Sequence, residues 1–375
     1  MNLAKENKLL SFISKYDKFI KISLLYFFVF EIQLKCLPTL FSSRKLVLFT
    51  VILYIVFYKR KQLIGIISSF VIKYIKIILM ALIFLCFYTS ILVIINQSNG
   101  RYILNLLVFT SLYVCIAPIF FSCIFKNKNE FIKCYILVCL FETVTIVLQQ
   151  TSQIYREIAD AIFLNESNYS YLYIGRAQGL GASGASITLI LFLGMLSCSY
   201  MIFYRKHKLF YYISFMWLMF SSLMCGMTGT IFGILLLIYT IFNDLHINNI
   251  KRILSICLIF LIAAIIFLLI CNFILPELYI RIIEKWENVF SFNSESSISI
   301  LFGMDIPRLS IRTFFGTGIT RGTVGDISCY HDSGYIRSYF SMGIIGSLLF
   351  YGSFYYSMIK DIISCHDKKV KIILT

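Results

Sequence analysis

The string Tyr330-His331-Asp332-Ser333-Gly334-Tyr335-Ile336-Arg337 sets an imidazole, a carboxylate, two phenols and a guanidinium within one short stretch. A near-neutral imidazole can take a proton from a hydroxyl, and a neighbouring carboxylate can orient it or stabilise its charged form. His331 is therefore a candidate general base, with Asp332 and Tyr335 in support; the alternative is an interfacial histidine that hydrogen-bonds backbone near the start of a helix. Asp332 and Ser333 also suit the N-cap of a helix beginning at Gly334, so capping competes with chemistry for Asp332. Arg337 falls about one and a half helical turns beyond His331. There, at the edge of an apolar run, a cation must reach water or meet an anion.

A second patch, Gly175-Arg176-Ala177-Gln178-Gly179-Leu180-Gly181-Ala182-Ser183-Gly184, precedes another apolar run. Its glycines allow close backbone approach and positive φ. Amides that lead into a helix N-terminus favour an anion, and the Arg176 guanidinium beside them binds phosphate oxygens at two points. The bland alternative is an interfacial arginine beside a flexible loop. No strand precedes the glycines, so a dinucleotide-binding unit is excluded. Between the patches, Arg281, Arg308, Arg312 and Arg321 alternate with Glu284, Asp305 and Asp326, the pattern of a solvated surface on which single arginines can still touch a substrate.

These residues must be positioned by an oily scaffold. With 59% hydrophobic and 14% charged residues and a mean hydropathy of +0.85, the chain has too little polar surface to wrap a water-soluble globule. Helices satisfy their own backbone where water is absent, so the expected fold is an all-α polytopic membrane bundle. Apolar runs suggest ten spans, near 22–40, 46–58, 77–95, 102–125, 131–150, 185–204, 209–225, 228–242, 253–275 and 334–359, with nine to twelve as bounds. The formal net charge of +16 is spread between spans and not along one stripe. It reads as topology, not nucleic-acid binding.

Most lysines and arginines fall on one side if both termini are cytoplasmic. That leaves two long outer segments, about 151–184 and 276–333, with short interfacial helices expected near 279–290 and 306–315. The twelve cysteines form no CxxC pair and read as small packing residues. No metal or cofactor is expected. Gly343 and Gly346 read as helix-packing contacts, while Glu31 and Glu142, costly as charges in apolar runs, should face the bundle interior. No repeat or separate soluble domain is visible, so residues 1–375 are expected to form one membrane domain.

The string Asp332-Ser333-Gly334-Tyr335-Ile336-Arg337 at the end of a long outer loop, the Gly343-Ile344-Ile345-Gly346 that follows, and Arg176-Ala177-Gln178-Gly179 before a span resemble the O-antigen polymerases called Wzy, of the polymerase and ligase superfamily. The two patches cover under a tenth of the chain; the hydropathy layout covers nearly all of it. The resemblance implies a metal-independent, GT-C-type glycosyltransferase in the bacterial inner membrane with its site facing the periplasm. Its donor would be a glycan on undecaprenyl diphosphate and its acceptor a lipid-linked repeat unit, with lipid and a chain-length regulator protein as partners. By the same resemblance His331 would activate the acceptor hydroxyl, and Arg176 would face the donor diphosphate with Arg337 and Arg312 in weaker roles. Gly179, Asp332 and Tyr335 would support them. This chain ends soon after its tenth span, where many relatives continue. An O-antigen ligase using the same donor, and a flippase for the same lipid-linked sugar, are the competing readings. The long outer loops and lack of repeated halves weigh against transport.

Overall fold

The computed structural model describes residues 17–38, 41–68, 70–163, 179–180, 184–204, 208–245, 250–291, 305–330 and 333–364, and these are overwhelmingly helical. Among the described residues, six helical stretches are long and apolar enough by length and composition to cross a membrane: Ile75–Ile95, Arg101–Ile124, Lys128–Thr151, Ser186–Tyr204, Lys208–Cys225 and Gly334–Lys360, the last of which is broken at Gly343. Gly229–Asn243 and Leu258–Ile274 are apolar but shorter. Large apolar side chains such as Ile94, Phe141, Leu189 and Phe273 stand exposed on these helices. A helix that is oily on its outer as well as its inner face is built for a solvent of lipid tails.

The chain divides into two compact units, Met1–Leu53 with Ile124–Trp286, and Tyr54–Cys123 with Glu287–Thr375. The first contains α1 (residues 17–30), the start of α2 (Ser43–Tyr58), α7 (Lys128–Thr151), α8 (Gln153–Ile162), α9 (Gly184–Tyr204), α10 (Lys208–Cys225), α11 (Met227–Leu245), α12 (Ile250–Ile274) and most of α13 (Pro276–Ser291). Its centre is α9, packed on α7, α10 and α11. Hydroxyls and an indole tie these helices together: Trp217 Nε1 donates to Thr143 Oγ1 at 2.5 Å, Thr240 Oγ1 to Ser199 Oγ at 2.9 Å, and Tyr135 Oη to the Ile190 carbonyl at 3.1 Å.

The apolar run at 22–40 does not continue as helix to its end. At residue 31 the backbone turns to φ 48°, and the Arg44 guanidinium donates to the Phe28 and Val29 carbonyls at 2.9 and 3.0 Å while pairing with Glu31 at 2.5 Å. A cation that takes the last carbonyls of a helix satisfies groups that have no partner along the axis. At the other end of α1, the buried Lys21 ammonium lies 2.7 Å from Asp17 and 2.8 Å from Glu130. Burial pulls its pKa down, but hydrogen bonds and charges from both carboxylates outweigh this and hold it above the ordinary lysine value. Beyond α1, Leu34 bridges Phe163, and Lys35 N donates to the Ile162 carbonyl at 2.9 Å.

The second unit contains the end of α2, then α3 (Arg60–Ser68), α4 (Phe70–Ile95), and α5 (Arg101–Thr110), which continues through a π-helical turn (Ser111–Ile116) into α6 (Ala117–Ile124). Later in the chain come α14 (Ile311–Phe315), β1 (Gly322–Val324), β2 (Ile327–Cys329) and α15 (Gly334–Ser364). Leu82, Leu85, Ile103, Leu107 and Met342 form its apolar core.

Helix α15 is not straight. Gly343 sits at φ 72°, ψ −178°, and Tyr351 Oη reaches the Gly334 carbonyl, seventeen residues away, at 3.4 Å. On a straight helix those residues would be about 25 Å apart. The Tyr335 and Tyr351 rings lie 4.7 Å apart, and the Tyr335 and Tyr355 hydroxyls 3.4 Å. The segment read in the sequence as one span, 334–359, therefore consists of a short arm ending at Met342 and a longer arm that returns beside it.

Gly343 is a conformational requirement and not only a packing contact. A Cβ there would lie 2.3 Å from the Phe314 carbonyl oxygen and 2.4 Å from the Phe315 carbonyl carbon. Gly343→Ala should destabilise the detergent-purified protein by about 2 kcal/mol or more, from a non-glycine residue forced to positive φ and a clash with backbone. Gly352→Ala, where a Cβ meets nothing within 4 Å, should leave the thermal midpoint unchanged. Equal midpoints for the two variants would contradict the fold-back.

Candidate functional site

Two polar segments are fixed by side chains projecting from apolar helices, one in each unit. In the first, α7 offers Glu142 and Gln149, two turns apart and so on one face. Glu142 is wholly buried, and both of its oxygens are engaged. Tyr26 Oη of α1 donates to Oε2 at 2.6 Å, and the Leu180 amide donates to Oε1 at 2.7 Å. Gln149 grips the preceding residue at two points: its Nε2 donates to the Gly179 carbonyl at 2.6 Å, and its Oε1 accepts from the Gly179 amide at 2.8 Å. Gly179 stands at φ 64°, and a Cβ on it would fall 1.9 Å from Glu142 Oε1. Only glycine fits this clamp. Nearby on α8, burial and then the Glu142 charge push the Tyr155 phenol up in pKa, so it stays protonated.

Gly179 is thus held fast, three residues after Arg176 in the chain. Arg176 itself lies outside the described residues, as do His331 and Asp332.

In the second unit, the segment 314–318 is threaded against the break in α15. Thr317 N and Gly318 N donate to the Phe340 and Ser341 carbonyls at 2.9 Å each, and Thr317 Oγ1 adds a bond to Phe340 O at 2.8 Å. The segment's own carbonyls are taken by α4 and the turn after it. Tyr88 Oη donates to Phe315 O at 2.5 Å, Asn96 Nδ2 to Gly316 O at 3.2 Å, and Ser98 Oγ to Thr317 O at 3.0 Å. The β1–β2 hairpin follows, in the register Gly322↔Cys329, Thr323↔Ser328, Val324↔Ile327. Its turn is Gly325-Asp326, with Gly325 at φ 64°, the positive φ that a two-residue hairpin loop needs. Ile327 and Cys329 pack onto Phe340 and Ile336 of the short arm.

The remaining residues singled out in the sequence fall around this hairpin and arm. Arg312 lies across the turn, donating to Asp326 Oδ1 at 3.4 Å and Val324 O at 3.5 Å; an ion pair this exposed contributes little stability. Arg337 is half-buried on the short arm, and its amide donates to the Ser333 carbonyl at 3.0 Å. Ser333 therefore stands at the N-cap position. Tyr335 is exposed and its ring meets that of Tyr351 at a tilt of 38°.

The sequence reading overlooked the cleft between the α4–α5 turn and the hairpin. A cavity of about 540 Å³ is lined by Asn96, Gln97, Asn99, Tyr102, Arg321 and Thr323 among others. Its signal in the sequence was the four-residue polar run Asn96-Gln97-Ser98-Asn99 between two apolar stretches, which looks like an ordinary turn. Among the described residues no group of His, Cys, Asp and Glu is arranged to hold a metal ion.

Searches against protein-family profiles, curated proteins and solved structures found no match to the chain.

Gln149→Ala should leave the Gly179 amide and carbonyl without their partner, at about 1–3 kcal/mol for each buried group left unmet. Amide hydrogen exchange at 179–180 should accelerate accordingly. Glu142→Gln, which keeps an acceptor for Leu180, should be milder. Unchanged exchange in Gln149→Ala would remove the clamp from the account.

Proposed function

We propose that the chain is a metal-independent glycosyltransferase of GT-C type that polymerises lipid-linked oligosaccharide repeat units, as the O-antigen polymerases do. The donor is a glycan on undecaprenyl diphosphate and the acceptor a second lipid-linked repeat. The reading includes a bacterial inner-membrane location with both termini cytoplasmic and a site open to the periplasm.

The observation that carries the reading is how tightly the neighbours of His331 are held. On one side is the β2 strand, with Cys329 buried; on the other, Ser333 opens the short arm of α15. His331 itself lies outside the described residues; its flanking anchors support the reading. The clamp on Gly179 supports the matching role of Arg176 in the same way.

The chemistry asks little else of the protein. A diphosphate is already a good leaving group, so acceptor deprotonation, fixed cations for the departing charge and alignment of two lipid-borne reactants suffice. The arm that begins at Gly334 adds a helix N-terminus, which favours negative charge. In this reading His331 takes the acceptor proton and Arg176 faces the diphosphate, with Arg337 and Arg312 in weaker diphosphate-binding roles.

His331→Ala should insert normally in the membrane yet lose about 10²- to 10⁴-fold in glycan elongation, the usual contribution of a general base. Arg176→Ala should lose elongation too. The assay is extension of lipid-linked repeats by purified protein without an ion gradient. Long glycans from His331→Ala would defeat the catalytic assignment, and core lipid left entirely uncapped in a null cell would indicate a ligase instead.

A further inference from the structure

The cleft beside the hairpin has the composition of a sugar site, and we propose that it is a saccharide-recognition subsite. Its class of ligand rests on the glycosyl-transfer reading above; its existence as a binding cleft rests on its geometry.

The lining supplies three carboxamides, from Asn96, Gln97 and Asn99, together with hydroxyls, one phenol ring and one guanidinium. Each carboxamide presents two N–H donors and an acceptor oxygen in one plane. Such groups match the neighbouring hydroxyls of a pyranose, each of which donates and accepts. An acyl chain would leave these polar groups unmet, and a highly charged ligand would call for more than the single arginine present. The cleft's volume lies within the roughly 300–1,000 Å³ of small-molecule sites and admits more than one hexose.

The polar groups are also fixed in place. Asn96 commits one N–H to Gly316 O and so has its amide plane set, with the second N–H and the oxygen still to offer. Asn99 Oδ1 accepts from Arg101 N at 3.3 Å, which leaves its NH₂ to donate. Tyr102, 66% exposed at the start of α5, can present a ring face for stacking against a pyranose.

Gln97 is held as firmly, by the way α4 ends. It stands at φ 49°, the left-handed position just past the helix C-terminus, with its backbone amide donating to Ile94 O at 3.3 Å and the Ser98 amide to Val93 O at 3.1 Å. Glycine takes this position at lower cost in stability, so the glutamine side chain can be removed there without disturbing the turn, which makes Gln97 the residue to test.

The test uses the full-length protein in nanodiscs, with saturation-transfer NMR against maltotriose, chitotriose, trigalacturonate and, as an anion control, inorganic pyrophosphate. At least one trisaccharide should bind. Gln97→Gly should weaken that binding about tenfold while the thermal midpoint stays level or rises. Tyr102→Ala should weaken it as well, and Tyr102→Phe should keep it.

Absence of binding to every trisaccharide, binding of pyrophosphate alone, or equal trisaccharide affinity in wild type and Gln97→Gly would each overturn the subsite. Elongation assays separate this proposal from the functional reading. Saccharide binding that depends on Gln97 in a protein that never elongates glycans would keep the cleft and reject the polymerase. Elongation that depends on His331 with binding indifferent to Gln97 would do the reverse.

Discussion

A backbone that stops being helical among apolar side chains must find partners for the carbonyls it releases, because no water is there to take them. At Gly343 that requirement shapes the second unit. The Phe340 and Ser341 carbonyls accept from Thr317 and Gly318. The strand of chain that supplies those amides then needs partners for its own carbonyls, and Tyr88, Asn96 and Ser98 provide them. Each segment satisfies the next. Phe315, Gly316 and Thr317 thus lie between two apolar helices without an unmet carbonyl, and the hairpin that follows is anchored at its root.

The same rule operates in the first unit with side chains in place of backbone. Glu142 in a dry helix core would be costly alone, yet it accepts from a phenol and a main-chain amide. Gln149 then completes the pairing of Gly179. These polar residues weaken α7 as an apolar helix, and in exchange they give the segment that follows Gln178 a fixed address. An apolar pair at 142 and 149 would pack as well against neighbouring helices and hold nothing.

The sequence made the apolar helices plain, because runs such as 77–95, 131–150 and 185–204 carry the signal residue after residue. Breaks were hidden in single positions. The run at 22–40 is oily to its end, and what stops the helix at residue 30 is Arg44, a side chain from the following helix. Residues 334–359 are likewise apolar on average. Gly343 and Gly346 suggested close packing, and the reversal depends on a contact with Phe314 and Phe315 that lies far off in sequence. Glu142 stood out as a charge in an apolar run, but its partners Tyr26 and Leu180 are 116 and 38 residues away. The polar cleft was least legible: four polar residues between two spans look like any short turn, and the other wall comes from the hairpin more than two hundred residues later.

Rigid support of this kind suits the proposed reaction, whose catalytic demand is alignment. Holding two reactants in register can remove about 7–11 kcal/mol of a barrier, and a displacement on the order of 1 Å can cost about 10²-fold in rate. Side chains on mobile loops cannot provide that precision unless the backbone beneath them is fixed. Each of the two polar patches has described residues at its edge: Gly179 in one, and Tyr330 and Ser333 to Arg337 in the other. Their roots are bonded into the apolar helices at Gly179 and at Thr317. The division follows from the solvent: polar side chains that are to meet a polar ligand cannot be buried in a lipid-facing core, while the backbone beneath them gains its rigidity from that core.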